Sequence, residues 1–241
     1  MSADLVAQRT GPDPAPEPYG LPVPAFEPDR ASRVEAGRRW PVHVWRFSHP
    51  VRSISCGPYG GGLGDRHWVL NATVPRDYDR LDPDVHVAEL AAGLGLTGPG
   101  AGMLTAADVN NATVAEDGGV YVVATVGLGH PTLAAAPDDA GASPPAGTIN
   151  IVAFLPAPLS DTALVNAVAT AAEAKVQALG GCGLDATGTA TDALFLAAPV
   201  PGPGAAAELY GGPRSTWGAR LARAVYAAVD GGARRWLADR R

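Results

Sequence analysis

Residues 148–155, TINIVAFL, are a near-continuous apolar run. A segment with no polar side to give to water belongs in the middle of a sheet, so this run is expected as a central strand. The next segment is helical: Ser160 or Asp161 caps a helix that stops at Gly180-Gly181. A further strand is expected over DALFLAAP (192–199). A last helix is expected from about Thr216, with Leu221, Ala224, Val225, Ala228 and Val229 on one face. Upstream, HVWRFSHPVRSISC (43–56) reads as two short strands or one bent pair around Pro50, and HWVLNATV (67–74) as another strand. Asp82-Pro83 opens a short helix that ends before Gly95. NATVAEDGGVYVVATVGLG (111–129) reads as a hairpin turning at EDGG. Strands and helices mix without strict alternation, which favours an α/β (α+β) fold: one layered domain with a mixed sheet packed against helices.

Of the 241 residues, 46% are hydrophobic, enough for one substantial core. Residues 1–35 are expected to stand outside it as a flexible, Pro-rich N-terminal extension, with order beginning around 36–42 and the domain running over 36–241. The stretch 134–147 has no periodicity and is expected as a mobile surface loop. A formal net charge of −6 argues against a nucleic-acid surface. No apolar run approaches the ~20 residues of a spanning helix, and no secretory leader is evident, so a cytoplasmic protein without membrane contact is expected. Two cysteines, Cys56 and Cys182, make no disulfide framework and match no zinc spacing; no metal is expected.

Four features carry chemistry. Lys175 is the only lysine in the chain, and helical periodicity places it in the apolar stripe of Leu164, Val168, Ala171 and Leu179. An ammonium there needs a carboxylate partner or a wet cavity, unless its stem packs on the core edge and the amine reaches water. In DATGTATDAL (185–194), Thr187, Thr189, Thr191 and Asp192 surround Gly188, a run that can bring hydroxyls and backbone N–H groups to a ligand or can be a polar turn. SISCGPYGGGLG (53–64) meets neither nucleotide fingerprint, but its Gly61 and Gly62 leave room for a ligand against the backbone. GMLTAADV (102–109) puts Thr105 and Asp108 in one turn-length segment, which as a bare pattern is a helix cap.

Taken in order, SISCGPYGGGL, WVLNATVPRDY, GMLTAADV, TVGLGHP, GTINIVAF, AAEAKVQAL and TGTATD resemble the adenosylcobinamide amidohydrolase family, the CbiZ type. The resemblance covers roughly residues 45–230. It implies hydrolysis of the amide joining the aminopropanol arm to the corrin ring of adenosylcobinamide, giving adenosylcobyric acid and 1-amino-2-propanol. The cobalt corrinoid would be the small-molecule substrate, with no cofactor. On that reading Asp192 or Asp108 acts as base or orienter, and Lys175 as the cation facing the oxyanion or as proton donor. Thr187, Thr189 and nearby N–H groups would bind the developing charge, with Asn71 and Asn150 positioning the amide. A metal held by Asp108, Asp192 and a histidine ranks lower. A corrinoid-binding protein without catalysis, and an amidase for a different amide, stay open; so does an oligomeric state.

Overall fold

The structure, a computed structural model, describes residues 27–137 and 147–239. Most of the proposed N-terminal extension, and residues 138–146 of the loop expected at 134–147, lie outside the described residues. Among those described, the chain forms eight strands and three helices. In order these are β1 (Asp29–Glu35), β2 (Arg38–Ser55), β3 (Gly62–Thr73), α1 (Pro83–Gly93), β4 (Gly100–Thr105), β5 (Thr113–Asp117), β6 (Val120–Gly127), β7 (Thr148–Phe154), α2 (Asp161–Gly181), β8 (Ala193–Pro199) and α3 (Thr216–Ala238). The strand order is β4-β3-β2-β8-β7-β6-β5, with β1 added alongside β2. β3–β4 and β7–β8 are parallel pairs, while β2–β3, β2–β8, β5–β6 and β6–β7 are antiparallel. This is the expected mixed sheet. Its two parallel steps are bridged by α1 and α2, as crossovers require.

Order starts earlier than expected. Residues 29–35, assigned to the extension, pair with Arg38–Val44 as an antiparallel ribbon. β2 is one strand of 18 residues rather than two. Its register shifts between Arg46 and Val51, and Pro50, which has no N–H for the ladder, falls in that gap. Before the gap β2 pairs with β1 and β3; after it, with β3 and β8. The β5–β6 hairpin turns on Gly118 and Gly119, both at positive φ (54° and 90°), the backbone that a two-residue turn of this twist demands.

β7 is buried along its whole length. Ile149 and Ile151, with Leu194 and Leu196 of β8, face Leu164 of α2 and Leu221 of α3. On the opposite face, Val152, Phe154 and Phe195 pack with Trp45, Phe47, Val69 and Met103 from β2, β3 and β4. Strands distant in the sheet order thus share one core, so the sheet is curled and its two halves face each other. Hydrogen bonds cross the interior too: Asn71 of β3 donates to Thr125 of β6, and Asn150 of β7 donates to the Leu104 carbonyl of β4. α1 closes the other side of β2 and β3 through Val87 and Leu90 against Val42 and Leu70.

Candidate active site

α2 begins at Ser160, whose side chain accepts from the Ala163 N–H. The helix buries Leu164, Ala167, Ala171, Ala174 and Ala178, and Lys175 sits at the edge of that stripe. Its Nζ lies 2.5 Å from Asp192 Oδ2, and the two side chains are 15% and 14% exposed. The ammonium therefore has the carboxylate that partial burial calls for. Asp192 is fixed on both oxygens. Oδ1 accepts from the Ile149 N–H at the start of β7 (2.9 Å) and from Thr189 Oγ1 (2.5 Å). Oδ2 accepts from Lys175 and from the Thr189 N–H (3.2 Å).

The TGT run owes its shape to these contacts. Gly188 runs so close to the ion pair that a Cβ there would overlap Asp192 Oδ2 and Lys175 Nζ. Thr187 N–H donates to the Thr132 carbonyl, Thr132 N–H donates back to the Gly188 carbonyl, and Thr187 Oγ1 accepts from Ala134 N–H. Segment 132–134 is thereby strapped over the pair. The cavity at this point, about 720 Å³, is lined by Lys175, Asp192, Thr187, Thr189, Thr132 and Glu173, among others. It is open to solvent, since Ala172, Glu173, Val176, Gln177 and Ala190 in its lining are exposed.

Asp108 stands elsewhere. It is exposed, its Oδ1 accepts from Asn110 N–H, and so it caps the 3₁₀ turn Val109–Asn111. It lines a second cavity of about 840 Å³ with Arg76, His130 and Arg235. Successive residues of one segment line the two: Gly127, Gly129 and His130 border the second cavity, Thr132 and Ala134 the first. Thr105 is 1% exposed and its hydroxyl accepts from Ala107 N–H. Among the described residues no three His, Cys, Asp or Glu side chains converge as a metal site, so the set of Asp108, Asp192 and a histidine is not assembled.

Asn71 and Asn150, assigned to amide positioning, are 2% and 0% exposed and hydrogen-bonded to each other at 2.8 Å. They line neither cavity. Beside Asn71 in register is His43, 4% exposed, whose ring nitrogens have no partner among the described residues. Burial, together with the charge of Arg30, lowers its pKa to about 4. Gly61 and Gly62 also line neither cavity. Their loop folds along the open side of β4, where Tyr59 and Gly102 exchange backbone hydrogen bonds. Gly60 there lies so close to the Gly100 carbonyl that a Cβ would collide with it. Sequence reasoning does not single out Thr132, Glu173 or His43. Thr132 and His43 sit in segments whose pattern reads only as loop or strand, and Glu173 reads as a solvated helix face.

Enzymes of small molecules place a few polar groups in a concave site of this kind, and this layered α/β domain carries a partly buried ammonium–carboxylate pair beside threonines in one. A sequence model of the family described as adenosylcobinamide amidohydrolase matches residues 26–241. The chain is 31% identical over 186 residues to an adenosylcobinamide amidohydrolase of Methanosarcina mazei, covering 75% of this chain and 88% of that protein. It is 34% identical over 188 residues to one of Halobacterium salinarum, covering 74% and 78%. The chain belongs to the adenosylcobinamide amidohydrolase family, a family of amide-bond hydrolases.

Proposed function

We propose that this chain hydrolyses adenosylcobinamide at the amide of its aminopropanol arm, giving adenosylcobyric acid and 1-amino-2-propanol, and that the reaction takes place in the Lys175–Asp192 cavity. The observation that carries the location is the lone lysine held against Asp192 in a cavity lined by three threonines and small apolar side chains of α2. Lys175 has three N–H donors and gives one to Asp192, leaving two for a substrate carbonyl. As water attacks, the carbonyl oxygen gains charge, and a fixed cation beside it stabilises that charge more than the ground state. Asp192 holds the cation and Thr189 in place. A volume of about 720 Å³ suits a substrate arm, with the corrin ring left at the opening.

The cobalt corrinoid is the substrate on this reading, water is the co-reactant, and no further cofactor or nucleic acid takes part. The cytoplasm is the compartment assigned: Cys56 and Cys182 are both free thiols, as a reducing environment keeps them. Among the described residues no helix is long and apolar enough to cross a membrane. The test is incubation of the purified chain with adenosylcobinamide, with products followed by mass spectrometry. Adenosylcobyric acid and aminopropanol in equal amounts are expected; bound but intact adenosylcobinamide would overturn the reading in favour of a carrier.

A further inference from the structure

We propose that Glu173 is the general base that activates water in the Lys175 cavity, an assignment that rests on the amide-hydrolase reading. Two carboxylates line this cavity, Asp192 and Glu173. A carboxylate has about four acceptor sites, and Asp192 accepts from Lys175 Nζ, Thr189 N–H, Thr189 Oγ1 and Ile149 N–H. Thr189 Oγ1 has a single hydrogen and also lies 2.7 Å from the Gly147 carbonyl, but the three N–H donors alone engage both oxygens of Asp192, which makes it a poor acceptor for a proton from water. Asp108 lines the other cavity. Glu173 is exposed and makes no hydrogen bond or ion pair among the described residues.

Its place on α2 suits the task. At 100° per residue, Ala172 and Val176 fall one turn apart and form a floor, with Lys175 to one side and Glu173 to the other. An amide lying across that floor has a cation near its oxygen and a carboxylate on the far side, where water attacks. The water oxygen bonds to the carbonyl carbon while its proton passes to Glu173; the oxyanion is held by Lys175. Glu173 then returns that proton to the amine nitrogen as the C–N bond breaks. The balance is one water consumed, one acid and one amine formed, and Glu173 restored.

The test is Glu173→Gln in the full chain, with kcat and KM measured on adenosylcobinamide. A loss of about 10²–10⁴-fold in kcat is expected, with KM within about threefold. Glu173→Asp, which keeps the carboxylate on a shorter arm, should retain more of kcat than Glu173→Gln, and it serves if the glutamine variant does not fold. Glu173→Gln turning over within about threefold of the unsubstituted chain overturns this assignment alone. An unsubstituted chain that releases no amine from adenosylcobinamide or any other amide overturns both it and the functional reading.

Discussion

At Gly188 a single added carbon would overlap both Asp192 Oδ2 and Lys175 Nζ. Neither atom can retreat cheaply, because Asp192 is held from four directions and Lys175 is held by Asp192. Gly188→Ala is therefore expected to part the ion pair and to lower kcat by at least about tenfold, a factor worth about 1.4 kcal/mol of lost transition-state stabilisation, while the far-ultraviolet circular dichroism stays unchanged. Lys175→Met keeps the length of the stem and removes the cation; by the cost of deleting one oxyanion donor it should lower kcat about 10²–10³-fold. Steady-state kinetics on folded protein check both, and near-normal turnover by Lys175→Met would remove the lysine from the mechanism. How far these residues are legible in the sequence depends on chain distance. Thr187, Thr189 and Asp192 lie within six positions, so a turn gathers them and the pattern is visible. Lys175 is conspicuous as the sole lysine. Asn71 and Asn150 look equally suited to an amide, but only the curl of the sheet, which turns β3 and β7 inward against each other, buries them.

Elements whose pattern is generated by their own burial are the legible ones. β7 is apolar throughout because both faces are covered, and α3 carries one clean apolar stripe. The hairpin of β5 and β6 is written in its two glycines. β1 is not legible, since its alternating exposed and half-buried residues include Asp29, Arg30, Arg33 and Glu35 and its partner is a ribbon formed by its own neighbour β2. Pro50 suggests a break in β2 because proline removes a ladder donor, yet the register shift there needs none. The helix starts give a prediction at this scale. Ser160 and Ser215 each accept a backbone N–H, from Ala163 and Gly218. Ser160→Ala and Ser215→Ala should each cost about 1 kcal/mol, read as a lowered urea midpoint with unchanged slope. α2 carries Lys175, so a larger cost for the Ser160 variant accompanied by lost activity would mean that the cap also sets the register of the site.

The whole molecule meets acid through its buried imidazoles before its carboxylates. His43 has a pKa near 4 in the fold against 6.5 for the free side chain, because burial and the charge of Arg30 disfavour the cation while Asp108 offsets them in part. His86, also buried, is lowered in the same direction, again chiefly by burial. Above pH 6.5 both states of the chain leave His43 neutral, and its contribution to stability is complete. As pH falls below 6.5 the unfolded chain takes up a proton that the folded chain refuses until about pH 4. Stability is lost across that window, by about 3 kcal/mol for a shift of this size. The arginine-paired carboxylates Asp117, Asp161 and Asp230 act lower down: their partners hold them below the usual carboxylate range, so their contribution fades only at more acid pH. His43→Phe isolates the imidazole. It removes two ring nitrogens that have no partner among the described residues and puts a ring of similar size beside Trp45, with which His43 makes an edge contact. Because an unpaired buried polar group costs about 1–3 kcal/mol, the variant should be no less stable than the natural chain at about pH 7.5, above the window set by the imidazole. Between pH 6.5 and 4 its urea midpoint should fall much less steeply. Parallel slopes for the two proteins across that window would mean that His43 is not the group that couples folding to acid.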